Sequence, residues 1–162
     1  MNLIVAADSN FGIGYNNKLL VSIPSDLKRF KEMTIGKVVI LGRKTIETFP
    51  KQKPLPQRTN IILSANPAYT CEGAVVVRGL DELKEELKKY KSEDVFVIGG
   101  ETVYKQLLDW CDTAYVTRID HEYSADAFFP NLDENDSWEL VAEGEEEVYF
   151  DVTYSFNTYK RK

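Results

Sequence analysis

The chain is short of the residues from which metal and redox centres are built. Among 162 residues there is one histidine, His121, and there are two cysteines, Cys71 and Cys111. Neither cysteine sits in a CxxC pair or near a histidine at ligand spacing, and His121 has no second histidine to help it hold an ion. We therefore expect no metal, two reduced thiols and a histidine in a loop or at the surface. Glycine and proline are also sparse, at 9 and 6, and no segment repeats at a fixed period. Fibrous, disordered and solenoid readings lose their support. No apolar run is long enough to span a bilayer, and the opening MNLIVAADSN has no basic export leader. A cytoplasmic protein without membrane contact is expected. Positive charge is in deficit: the net charge is −6, with acidic runs at 133–136 and 143–147. Such a field repels phosphates, which disfavours a nucleic-acid partner and obliges any anionic ligand to find a local basic patch. The acidic runs themselves read as solvated turns.

What is present is an ordinary share of apolar residues, 43%, enough for one core and a single domain over residues 1–162. Short β-rich runs at 3–7, 38–41, 60–63, 74–77 and 95–98 alternate with helical stretches at 25–33, 44–49, 80–90 and 101–109. The runs are apolar throughout, as in strands covered on both faces, so a parallel sheet is expected. In the third helical stretch Leu80, Leu83, Leu87 and Tyr90 share an apolar stripe. After Trp110 the segments AYVTRID, WELVAEGEEE and VYFDVTYSFNTYKRK read as antiparallel strands closing the sheet. The predicted class is α/β: a mixed, mostly parallel central sheet of about eight strands flanked by about four helices. Residues 8–24 form a long loop with no secondary structure of its own, the length of a functional lid.

Two strand ends run through glycine into a helix, VVIL-GRKT at 38–45 and VFVI-GGETVY at 95–104. Each is a candidate phosphate cradle, because glycine lets the backbone N–H groups approach an anion closely. Glycine used only for helix–strand packing is the alternative for either turn taken alone. Two such turns in one sheet favour a dinucleotide, although neither fits the GxGxxG or GxxxxGK[ST] pattern. Arg43, Lys44 and Arg78 place cations where a ribose phosphate could lie, which favours NADPH over NADH. Solvated surface cations are the plain alternative. In IPSDLKRFKEMT, at 23–34, Pro24 and Ser25 open a helix on which Asp26, Phe30 and Met33 share one stripe. A carboxylate among apolar side chains in a cleft would have a raised pKa, and could bind an amidine-like edge while assisting protonation of a ring. An acid in a first turn also commonly just complements the helix dipole.

The motifs LIVAAD with its GIG loop, PSDLKRFK, VVILGRKT, PLPQRTNIIL, VFVIGGETVY, AYVTRID and DAFFP occur in this order along nearly the whole chain. In that order the sequence resembles the bacterial dihydrofolate reductases. The resemblance implies hydride transfer from NADPH to dihydrofolate, giving tetrahydrofolate for one-carbon metabolism, and sensitivity to antifolate inhibitors; nothing obvious marks an oligomer interface, so a monomer is expected. It implies that Asp26 binds the pterin edge and promotes protonation at N5, with Thr117 hydrogen-bonded behind it. Ile4, Val5, Leu27, Phe30, Phe49 and Ile98 would line the pterin and aminobenzoyl slot, Leu55 would press on the aminobenzoyl ring, and Arg58 would hold the glutamate carboxylate. For the cofactor, Ala6, Ile13 and Gly14 would meet the nicotinamide, with Tyr104 at the edge of its pocket. Gly42, Arg43, Lys44 and Thr45 would serve one side of the diphosphate, and Gly99, Gly100, Glu101, Thr102 and Val103 the other. Leu63 and Ser64 would lie near the adenosine, and Arg78 would be a further cation for the 2′-phosphate.

Three positions depart from the family's usual pattern. Val21 stands where relatives carry a lid tryptophan, Ala65 and Glu101-Thr102 stand where they often have hydroxyl and basic residues, and Ala127 replaces a threonine before FFP. The grip on the 2′-phosphate then rests on Arg43, Lys44 and Arg78. Two rivals remain at this level. One is a reductase of the same fold acting on an aminopyrimidine of riboflavin synthesis, against which Asp26 and Arg58 together argue. The other is a non-catalytic binder of folate or nucleotide, which would have little reason to keep a carboxylate among apolar neighbours.

Overall fold

The computed structural model describes residues 1–162. In chain order it contains β1 (Asn2–Ala7), β2 (Gly12–Tyr15), β3 (Lys18–Leu19), α1 (Pro24–Thr34), β4 (Val38–Gly42), α2 (Arg43–Ile46), β5 (Thr59–Leu63) and β6 (Val75–Val77). These are followed by α3 (Leu80–Leu87), β7 (Val95–Gly99), α4 (Glu101–Leu107), β8 (Thr113–Ile119), β9 (Ala127–Phe128), β10 (Trp138–Glu143), β11 (Glu147–Tyr149) and β12 (Val152–Arg161). The main sheet runs β10-β12-β8-β1-β7-β4-β5-β6, with β11 added along β12. From β8 to β6 all pairings are parallel, while β12 is antiparallel to both β8 and β10.

The unbroken apolar runs follow from covering this sheet on both faces. Successive side chains point to opposite sides of a strand, so Leu3, Ile40, Ile61 and Val97 enter one core while Ile4, Val39, Ile62 and Phe96 enter the other. Leu83 of α3 and Val103 and Leu107 of α4 close the first core. Phe30 and Met33 of α1 and Ile46 of α2 close the second. Each fully buried Leu or Ile contributes about 1.5–3 kcal/mol, so the sheet's centre is fixed from both sides and its strand ends are held rigidly.

Several boundaries differ from the sequence reading, each for a local reason. The helix expected over 44–49 ends at Ile46, because Phe49 precedes Pro50 and is driven into extended backbone at φ −81° and ψ 154°. The helix expected over 80–90 ends at Leu87; Lys88, Lys89 and Tyr90 continue it with the tighter bonds to residues three back. Similarly, 101–109 ends at Leu107 and tightens into a 3-10 turn at Leu108–Trp110. AYVTRID, expected among the antiparallel closing strands, pairs parallel with β1 and antiparallel only with β12. The last run is a hairpin broken at Phe150, whose φ of 56° makes the turn between β11 and β12.

Residues 8–24, expected to be a loop without secondary structure, instead carry two short strands. β2 and β3 pair antiparallel through a two-residue turn at Asn16 and Asn17, both in left-handed backbone at φ 54° and 59°. β2 also pairs with β9, so a small three-stranded sheet stands over the ends of the parallel strands. Asp8 anchors it. This fully buried carboxylate accepts N–H bonds from Asn10, Gly12 and Tyr123 at 2.9, 2.7 and 2.9 Å. Gly12 is required there, since a Cβ would come 2.8 Å from the Ala125 Cβ and 2.9 Å from Asp8 Oδ2.

Candidate active site

The carboxyl ends of β1, β4, β5 and β7 open into one cleft of about 1470 Å³, bounded on the far side by α1 and above by the small sheet. Ligands of open parallel sheets bind at this edge, where connections leave in opposite directions. Every residue expected to bind substrate or cofactor, and Asp26, lies on the wall of this cleft, while Thr117 stands behind it.

Asp26 is in the first turn of α1, facing the cleft two residues after Pro24. Thr117 of β8, itself buried, donates a hydrogen bond to Asp26 Oδ1 at 2.6 Å. Burial pushes the carboxyl above its ordinary value, while the Thr117 hydrogen bond and then the charge of Arg29 pull it back. Desolvation is the largest of the three. The group is thereby placed for proton chemistry nearer neutrality than a free aspartate.

Around it the wall is apolar: Ile4 and Val5 from β1, Leu27 and Phe30 from α1, Ile98 from β7, with Phe49 and Leu55 opposite. Leu27 is 48% exposed, so about half of a large apolar side chain on α1 is left open to the cleft. Arg58 lies at the outer end. Its Nε donates to the Pro56 carbonyl at 3.0 Å and one terminal nitrogen to Thr34 Oγ1 at 3.3 Å, which fixes the guanidinium against the end of α1 with its other terminal nitrogen unengaged. Partial burial pulls its pKa down from the usual arginine value.

The other half of the cleft is made of main chain. Gly42 ends β4 and Gly99-Gly100 ends β7, the latter joined by a cis peptide bond with Gly99 at φ 138°, a conformation that favours glycine. The two turns lean on each other: a Cβ on Gly42 would meet Val103 Cγ2 at 3.1 Å, and one on Gly100 would meet Thr45 Oγ1 at 3.2 Å. Bare backbone at both turns is what an extended diphosphate requires. Lys44, Leu63, Ser64 and Thr102 continue this wall, and Ala6, Ile13 and Gly14 bring it to Asp26. Tyr104 donates its hydroxyl to the Ile4 carbonyl at 2.7 Å. Full burial holds that hydroxyl far above its ordinary pKa, so it stays a neutral donor.

Three of the charged candidates are already engaged. Arg43 pairs with Glu47 at 2.6 Å. Arg78 gives both terminal nitrogens to carbonyls of Asn66 and Tyr69 at 2.7 Å each, which ties down the 64–74 loop. Glu101 accepts the Phe128 N–H at 2.5 Å and stands 3.9 Å from Lys105, so its carboxylate is spent on the small sheet. Lys44 forms no ion pair and is the cation most available to a ligand phosphate. Val21 packs against Ile23, Ile119 and Tyr154 and supplies no polar group. The sequence reading missed Asp8, signalled only by the turn-forming run Asp-Ser-Asn, and Arg29, whose place one helical turn from Asp26 is local but whose stacking on Phe156 and Tyr115 depends on tertiary packing.

A profile of the family described as dihydrofolate reductase matches residues 1–161. The chain belongs to the dihydrofolate reductase family. It is 36% identical over 164 residues to the dihydrofolate reductase of Bacillus subtilis (strain 168), covering 100% of this chain and 95% of that protein. It is 32% identical over 142 residues to the Staphylococcus aureus dihydrofolate reductase, covering 88% of this chain and 84% of the relative. Among solved structures, a dihydrofolate reductase from Enterococcus faecalis complexed with NADP(H) and RAB-propyl aligns with a TM-score of 0.87 and 38% identity, over 99% of this chain and 95% of that one. The dihydrofolate reductase reading is thereby favoured over the riboflavin-pathway alternative.

Proposed function

We propose that this chain reduces 7,8-dihydrofolate to 5,6,7,8-tetrahydrofolate, with NADPH as the reductant, and so supplies one-carbon metabolism. The observation that carries the proposal is the Asp26 carboxylate, desolvated in an apolar wall and held by Thr117, across one cleft from two bare glycine turns.

NADPH, when bound, supplies the hydride that goes from C4 of its nicotinamide to C6 of the pterin. The chain's own residues do the rest. Gly42, Thr45, Gly99, Gly100 and Val103 would form the backbone cradle for the diphosphate, Lys44 would be the cation for the 2′-phosphate with Ser64 near the adenosine, and Ala6, Ile13 and Gly14 would orient the carboxamide. Asp26 grips the 2-amino and N3 edge of the pterin and favours a proton at N5, so that N5 gains a proton as C6 gains the hydride. Ile4, Val5, Leu27, Phe30, Phe49, Leu55 and Ile98 exclude water, and Arg58 pairs with the substrate's glutamate carboxylate. The small sheet is the lid over the reacting ring. The same slot would take antifolates. We further propose that residues 1–162 act as one unit, as a monomer, in the cytoplasm. No helix is long and apolar enough to cross a membrane.

The test is the loss of reduced-nicotinamide absorbance when dihydrofolate is added to protein and NADPH. Oxidation dependent on both ligands is expected; none at any pH from acid to neutral would contradict the proposal.

A further inference from the structure

Asp26 has a cationic neighbour that does not face the cleft. Arg29 lies one helical turn along α1, with its guanidinium carbon 4.5 Å from the ring centroid of Phe156 and 5.9 Å from that of Tyr115. Phe156 of β12 is paired directly opposite Thr117 of β8, and Tyr115 lies two residues before Thr117 on the same face. The strand pair that holds Asp26 through Thr117 therefore also holds Arg29 through its rings. Arg29 is half-buried, is absent from the cleft wall, and forms no ion pair with any carboxylate. A guanidinium that loses water and gains aromatic rings but no carboxylate in contact is compensated by nearby negative charge.

We propose that Arg29, clamped on Phe156 and Tyr115 behind the cleft, is a positioning residue that keeps the Asp26 carboxylate charged against its apolar surroundings and so sets the acidity at which the site works. The inference rests on the function proposed above. The groups that face Asp26 leave this role to Arg29. Thr117 from β8 supplies a neutral hydroxyl, and Tyr104 from α4 is held neutral by burial. Tyr154 from β12 is engaged with Ser25, one residue before Asp26. Arg29 is the cation whose charge lowers Asp26, and Asp26 in turn offsets the desolvation of Arg29, so the effect is reciprocal. An aromatic clamp suits the task, because it fixes the cation without neutralising it.

Without the cation, Asp26 holds its proton to higher pH, and a rate that needs that proton persists to higher pH. In the NADPH-bound protein, Arg29→Met and Arg29→Gln should each move two midpoints upward: that of the hydride-transfer rate against pH, and that of the Asp26 carboxyl carbon resonance. Turnover on the alkaline side should rise several-fold relative to wild type at the same pH. Arg29→Lys should return both midpoints most of the way, and in an Asp26→Asn background Arg29→Met should shift nothing. Melting curves and NADPH fluorescence quenching identify whichever neutral variant is folded. Unmoved midpoints in a folded neutral variant would overturn the inference. If Asp26→Asn instead turned over like wild type, the functional reading would fail, while the carboxyl resonance would still judge Arg29.

Discussion

At the scale of single residues the site's central group works against the fold that carries it. Burial raises the Asp26 pKa above the value it has in the unfolded chain. Between those two values the native state binds more protons than the unfolded state, so stability falls as pH rises through the window, and the penalty is fully present above the folded pKa. Asp26→Asn removes the charge in a side chain of the same shape. We predict a higher Tm than wild type at neutral pH, by about 2–4 °C for each kcal/mol relieved, with the difference closing as pH is lowered towards the ordinary aspartate range. A calorimetric pH series checks this; a lower Tm for the variant at neutral pH would contradict it. Asp26 was legible in the sequence because its helix register sets a carboxylate beside Phe30 and Met33. Arg29 was not, since nothing in DLKRFK distinguishes a cation stacked on Phe156 from one in solvent.

At the scale of elements the lid is held at two points, Asp8 beneath it and Glu101 at its β9 edge. Asp8→Ala would leave the N–H groups of Asn10, Gly12 and Tyr123 without their acceptor, at about 1–3 kcal/mol for each that stays buried. We predict faster amide hydrogen exchange across residues 9–23 and weaker NADPH binding, with exchange in β1, β4 and β7 unchanged. Exchange measured by mass spectrometry checks it, and full protection of the lid in Asp8→Ala would contradict the assigned anchor. The length of this segment could be read in the sequence as that of a lid, yet its hairpin was missed. The signal was Asn16-Asn17, since paired asparagines tolerate the left-handed backbone of a two-residue turn, but β2 and β3 are too short for period-two alternation to register.

At the scale of the whole molecule, unbroken apolar runs at β1, β4, β5 and β7 made a two-sided parallel sheet legible, because only strands covered on both faces can be apolar at every position. Order within the sheet was not legible: that β8 lies parallel to β1 while β12 returns antiparallel is decided by long-range pairing, which local periodicity does not carry. The same sheet brings Asp26 and the two glycine turns, far apart in sequence, to one cleft. The most direct test of that convergence is steady-state turnover of Asp26→Asn at neutral pH, measured beside its NADPH dissociation constant. We expect turnover to fall by about 10²-fold or more while NADPH binds as in wild type; turnover equal to wild type in a folded variant would contradict the account.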